Sequence, residues 1–392
     1  MSKVVCQACG VSLHNLKPHF KGQADDATCL CSMDEYLTNY PGFPLTSVEF
    51  DEGIARMMGR NYTEEEKLGM LDQKVFMFDS KALFGVEFGA DNKVYGFSER
   101  LHYVPEVNKH FRFDQATTKL ILIALSYNKP TLITGPTGCG KSEHVLQIAA
   151  RLNYPVMRVN HNADMYSHDI VGKLDAANGE TVFTPGPLPF AMPNPMIFLM
   201  DEWDAINAEV GFIYHPVLEQ KTSGTLGDLV LGQDGGRVVH SHPLFRMFAT
   251  SNTGGMGDEG GLYQGTQTQN YAQINRFLIK VAMGYPSIQD DIEILIENHP
   301  SLSGEEAKAF AETANKARKR YTAGEISVPL STRDIISWAH LYLILGDPLD
   351  SLRFSCTNGL SAVDSKTIYE IAQRIFGGYA GPPKKESRVA RR

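Results

Sequence analysis

The chain has 392 residues, 43% of them hydrophobic and 21% charged, with a formal net charge of −8 and an isoelectric point of about 5.9. That length is too great for one small domain, so two or three units are expected. The acidic balance argues against a chain-wide electrostatic grip on nucleic acid. No apolar run approaches the length that spans a bilayer and the N-terminus lacks the apolar core of a signal peptide, so a cytoplasmic location without membrane attachment is expected.

Residues 1–45 carry four of the six cysteines: Cys6, Cys9, Cys29 and Cys31, together with His14 and His19. Cys6-x₂-Cys9 has the spacing of a metal knuckle, and Zn²⁺ takes four N/S ligands in a tetrahedron. Cys6, Cys9, His19 and Cys29 are the expected ligands, with Cys31 or His14 as alternates. So short a segment cannot build a core of its own, and a metal staple would explain its folding. Ser32-Met-Asp-Glu35 then reads as a capping box, and Pro41-Gly-Phe-Pro44 ends the helix it opens. The stretch Tyr36 to Leu45 resembles the one that follows the knuckle in zinc modules of the MucR type, which bind DNA or protein. With only Lys3, Lys17 and Lys21 as basic residues, protein docking is at least as well supported as DNA binding, which is possible but not favoured.

Residues 46–105 read as a connecting region, with a helix start at Thr63-Glu-Glu-Glu66 and a Gly-rich loop from Gly85 to Asn92. From 106 to 287 apolar strand candidates (Pro130–Thr134, Val156–Val159, Met196–Met200, Arg246–Thr250) alternate with helical segments. That alternation predicts an α/β fold with a mostly parallel sheet and flanking helices. Residues 288–380 read as helical, over Asp290–His299, Gly304–Tyr321, Ser331–Leu345 and Ser365–Phe376. A basic tail, 381–392, is expected to be disordered.

The most informative motif is Gly135-Pro136-Thr137-Gly138-Cys139-Gly140-Lys141-Ser142. It follows the strand candidate ending at Thr134 and precedes a helical segment that begins with Glu143. This is the strand–loop–helix context of a phosphate-binding loop. Its glycines let backbone N–H groups turn toward phosphate oxygens, at the positive end of the following helix. Lys141 supplies a charge for the β- and γ-phosphates, and Ser142 a hydroxyl for Mg²⁺. Downstream, Met196-Ile-Phe-Leu-Met-Asp201-Glu202 is a buried strand ending in two carboxylates. Asp201 is expected beside Mg²⁺ and Glu202 beside the γ-phosphate, orienting and deprotonating water. Asn252 ends another strand and is either a γ-phosphate ligand or a turn residue. Arg276 is a surface cation, an intramolecular phosphate ligand or a finger reaching a neighbour's nucleotide. Arg333 is a solvated first-turn residue or a sensor on a lid. Cys139 beside bound phosphate predicts sensitivity to thiol reagents, and His144 reads as a packing residue or as one near the nucleotide.

Taken in order, these residues resemble an AAA+ ATPase. More narrowly, the chain is similar to the MoxR group and above all to the AAA+ subunit of aerobic cobaltochelatase. The residues that carry the resemblance are Val104-Pro-Glu-Val107, Gly138 to His144, Ala149-Ala-Arg-Leu-Asn153, Asp169-Ile-Val-Gly172, Phe198-Leu-Met-Asp-Glu202, His242-Pro-Leu-Phe-Arg246, Phe248-Ala-Thr-Ser-Asn252 and Gly261-Leu-Tyr-Gln-Gly-Thr-Gln267. The resemblance implies a homohexameric ring with ATP between subunits, Arg276 acting in trans, Arg333 as lid sensor and Asn252 as first sensor. It also implies a partner protein with a von Willebrand A domain. Gly179 to Leu188 is expected as a loop inserted in the second helix, and Gly224 to Val239 as a hairpin before the third strand. Asn275 stands where the family commonly has an acidic residue.

Overall fold

A computed structural model of the chain describes residues 4–5, 12–13, 75–177, 180–258, 262–263 and 265–377. The chain divides into two compact units, Met1–Leu71 and Asp72–Arg392. Of the first, Val4–Val5 and Ser12–Leu13 pair as antiparallel strands. Cys6, Cys9, His14, His19, Cys29 and Cys31, the helix expected after Ser32, the one at Thr63 and the 381–392 tail lie outside the described residues.

The second unit is built on a five-stranded parallel sheet. Its strand order is Ile279–Ala282, Thr131–Thr134, Arg246–Ser251, Ile197–Asp201, Val156–Asn160. Four of these strands are the ones expected from apolar runs. The fifth, Ile279–Ala282, was not expected. It is only four residues long and alternates buried with exposed positions, as an edge strand does. Ile197–Asp201 and Arg246–Ser251 are buried along their whole length, which is why each carries consecutive apolar residues, Ile197 to Met200 and Met247 to Ala249, rather than alternating ones. Arg246 opens the central strand as a buried charge. It is tolerated because it donates to the carbonyls of Leu125 (2.6 Å), Pro243 (2.8 Å) and Phe245 (3.0 Å) and to the Tyr95 hydroxyl.

One core layer joins the sheet to the helices Gln115–Tyr127 and Lys141–Arg151. The antiparallel hairpin Val75–Asp79/Lys93–Phe97 lies in the stretch read as connecting. It contributes buried Val94 and Phe97 to this layer, with Phe84 and Val86 from between its strands. Two short helices and a hairpin lie between the strands Val156–Asn160 and Ile197–Asp201. Ser167–Val171 leads into the hairpin Gly172–Ala177/Glu180–Pro185 and then Pro187–Ala191. A second hairpin, Leu229–Leu231/Arg237–Val239, turns at Gly235 and Gly236, both at positive φ.

The lid consists chiefly of helices Ile288–Asn298, Gly304–Thr322, Thr332–Leu345 and Ala362–Phe376. The first three open on reciprocal capping boxes, Ser287/Asp290, Ser303/Glu306 and Ser331/Asp334, so each start is written locally in the chain. Their core closes around Phe310, whose ring centroid lies 4.4 Å from that of Trp338 and 5.1 Å from that of Phe376. No helix among the described residues is long and apolar enough to cross a membrane.

Candidate nucleotide site

Parallel strands deliver their C-terminal ends to one edge of the sheet, where ligands of α/β folds bind. Here Thr134 leads into the Gly-rich loop, Ser251 ends the adjacent strand and Asp201 the strand beyond it. A cleft of about 190 Å³ opens there. Thr137, Gly138, Gly140, Lys141, Ser142, Glu143, Asp201, Glu202, Asn252 and Arg333 line it, together with Arg158, Thr250 and Ser251. All but three of these come from the expected site.

Lys141 starts the helix that follows the loop, capped at Gly140 with φ 93°. Its ammonium donates to the carbonyls of Gly135 (2.8 Å) and Pro136 (2.9 Å) and to Asn252 Oδ1 (2.8 Å). Burial lowers its pKa from the usual lysine value. Ser142 Oγ and Thr250 Oγ1 (2.5 Å) donate to Asp201 Oδ1, and Arg158 holds Oδ2 through Nε (2.8 Å) and Nη2. Burial pushes the Asp201 carboxyl up, but those donors outweigh it and the net shift is downward. Glu202 is exposed to the cleft and sits at φ 53°, ψ 40°. A non-glycine residue there is uncommon, and such local strain collects at functional positions. Its N–H donates to Thr250 Oγ1 (3.1 Å), which fixes the backbone that aims it.

Asn252 is placed by a residue the sequence reading passed over. Asp204, fully buried, accepts through Oδ2 from Ser251 Oγ (2.6 Å), Thr253 N (2.9 Å), Thr253 Oγ1 (2.7 Å) and Asn252 N (3.2 Å). Its position two after Glu202, in Asp201-Glu202-Trp203-Asp204, was the available signal. Arg158 had one too: it is the one charged residue within the apolar strand Val156–Asn160.

The loop is also gripped from both sides. Thr137 N–H donates to the Tyr263 hydroxyl (3.1 Å), and the Tyr285 hydroxyl donates to Thr137 O (2.9 Å). Tyr263 belongs to the Gly261–Gln267 run, of which Gly261 and Gln264 lie outside the described residues. The Arg318 guanidinium lies 4.4 Å from the Tyr285 ring centroid. Arg318 in turn is buried against Asp291 (2.5 Å) and bonds Leu330 O and Thr332 Oγ1 beside Arg333. The lid meets the loop directly: a Cβ on Gly138 would fall 2.4 Å from Ser331 Oγ.

Three expected residues stand apart. Arg276 is not in the cleft. Its Nη2 is 3.1 Å from Glu219 Oε1, its Nη1 donates to Ala272 O (2.9 Å), and its buried Nε has no hydrogen-bond partner among the described residues. Cys139 belongs to the loop by its backbone, but its side chain is buried and off the cleft, and burial raises its thiol pKa. The expected thiol sensitivity is therefore corrected: a protonated, enclosed thiol is a poor nucleophile. His144 is a packing residue. It is 1% exposed, its Nε2 lies 2.8 Å from Thr118 Oγ1, and its ring meets those of Phe111 and Phe113 edge-on. Burial holds its pKa at about 4.

Comparison with known proteins agrees with this geometry. Residues 130–265 match the AAA domain of the dynein-related subfamily. The chain is 33% identical over 305 residues to the aerobic cobaltochelatase subunit CobS of Sinorhizobium sp, covering 76% of this chain and 90% of that one. It is 26% identical over 219 residues to protein NorQ of Paracoccus denitrificans, covering 56% of this chain and 75% of the relative. With the denitrification regulatory protein NirQ of Pseudomonas aeruginosa it shares 27% over 239 residues, 61% of this chain and 85% of that one.

Proposed function

This chain belongs to the MoxR-like AAA+ ATPases, the family of the cobaltochelatase subunit CobS, and from that membership we propose a ring-forming motor that uses Mg²⁺ and ATP to remodel a partner protein. The observation that supports this most is the convergence of Lys141, Ser142, Asp201, Glu202, Asn252 and Arg333 on one cleft.

The residues present fit both ligands. Lys141 rests on neutral oxygens, with no carboxylate at ion-pairing distance among the described residues, so its charge is free for a triphosphate. Ser142 and Asp201 offer hydroxyl and carboxylate oxygens side by side, the hard donors Mg²⁺ takes, and these two residues would hold it. Bound there, Mg²⁺ would neutralise phosphate charge. Lys141 and the amides of Gly135 to Ser142 seat the phosphates, Glu202 takes the proton of the attacking water, and Asn252 orients the γ-phosphate or that water. Arg333 reaches in from the lid. Arg276, outside its own cleft, acts on the nucleotide of the next subunit. A protein with a von Willebrand A domain is the partner we propose, and cobalt insertion into a corrin ring is one setting for the pair.

Glu202→Gln tests the assignment. Turnover should fall by at least 10²-fold while ATP binding stays near the wild-type value. ATP hydrolysis undiminished in that variant would remove Glu202 from the mechanism.

A further inference from the structure

The strand Val156–Asn160 is the edge strand beside Ile197–Asp201, with Asn160 in register with Asp201 and Arg158 with Leu199. From there the Arg158 side chain, 46% exposed, reaches over to an Asp201 side chain that is only 5% exposed. Asp201 Oδ1 is taken by two hydroxyls, and both bonds to Oδ2 come from this one guanidinium. Among the described residues Asp201 is the only carboxylate at ion-pairing distance from Arg158. A carboxylate so enclosed is stabilised by a cation beside it. Arg158 is that cation here, and it lines the same cleft as the phosphate-binding loop.

We propose that Arg158 is a placeholder for Mg²⁺: it neutralises Asp201 while the site holds no metal and yields it when Mg²⁺·ATP binds, turning toward the phosphates. This rests on the reading of Asp201 as the metal-side carboxylate. Two cations compete for one carboxylate, so loading Mg²⁺·ATP is an exchange rather than a simple addition. Arg158 thus screens Asp201 from the charge of metal-free ATP and opposes Mg²⁺ at the same carboxylate. Its planar fork of donors suits phosphate oxygens once it is released. Removing it should move the two affinities in opposite directions. ATP alone then meets an unscreened carboxylate and binds more weakly. Mg²⁺ meets a carboxylate with no competitor and binds more readily.

The test is equilibrium binding of a fluorescent ATP analogue to the full chain, in EDTA and in millimolar Mg²⁺. The quantity read is the ratio of the two dissociation constants. Arg158→Ala and Arg158→Gln should each raise the Mg²⁺ preference by about fivefold or more, the scale of a partly exposed charge pair, and Arg158→Lys should lie between them and wild type. Asp201→Asn should collapse the preference toward one. Thermal unfolding of each variant identifies any that fails to fold, and the remaining position-158 variant then decides. If Asp201→Asn collapses the preference while the neutral variants at 158 stay within twofold of wild type, the placeholder role is wrong and the reading of Asp201 survives. If Asp201→Asn leaves the preference intact, the reading of Asp201 fails and the exchange fails with it.

Discussion

Asp204 accepts four hydrogen bonds at one carboxylate oxygen, and the other has no partner among the described residues. It gathers the turn 251–254 onto the end of a neighbouring strand, so Asn252 is aimed by a group that does not line the cleft. At this scale the site was legible where a residue type has one chemical use, as with Lys141 or the paired Asp201 and Glu202. It was not legible where the role depends on which side chain lies across the sheet, as with Asp204, Thr250 and Arg158. His144 is the opposite case, a motif residue whose work is packing. Burial holds His144, His161 and His242 each at about 4. Their unfolded value is near 6.5, so between those pH values the unfolded chain takes up protons that the folded chain refuses. Stability is therefore complete above pH 6.5 and falls on acidification toward 4, by up to about 1.4 kcal/mol per pH unit for each group. Denaturant unfolding at pH 7.5 and 5.5 should show this loss, and His144→Gln should shrink it. Equal stability at both pH values would mean that these rings are not held neutral.

At the scale of elements, the fold was most legible where apolar runs are continuous or caps are local. Both central strands and the capped lid helices fall where their residues point. Ile279–Ala282 was not anticipated, because a four-residue edge strand buries one face and leaves a weak signal. The hairpin Val75–Phe97 escaped for a related reason: most of the core layer it joins lies far along the chain, Ile121 and Ile148 among its members. One glycine carries a close approach between elements. Gly138, at φ 71°, lies where a Cβ would meet Ser331 Oγ and Cβ at 2.4 and 2.5 Å. Gly138→Ala must therefore move the start of the Thr332–Leu345 helix and the Arg333 it carries. We expect ATP to bind at least about tenfold more weakly, on the order of 1.4 kcal/mol, with the unfolding midpoint of the lid little changed. Titration with a fluorescent nucleotide checks this, and an unaltered affinity would show that the lid need not meet the loop.

At the scale of the whole molecule, Arg276 lies outside the cleft its own chain builds, so hydrolysis is proposed to need a second copy. Two inactive variants then become a test. Arg276→Ala and Glu202→Gln each lack one half of a site, and mixing them creates junctions in which both halves are intact. Turnover should reappear on mixing, and activity of the wild-type chain should rise with concentration. Mixtures as silent as their components would place Arg276 outside the reaction. The contact at Gly138 bears on how such an assembly moves. Ser331 already fills the space beside the loop, and Thr137 is pinned on one side by Tyr285, just ahead of the lid. The lid therefore rests close against the loop here, and moving it further in would press Ser331 toward the Gly138 backbone. In the motor proposed above, motion of the lid driven by nucleotide would then run outward from this contact.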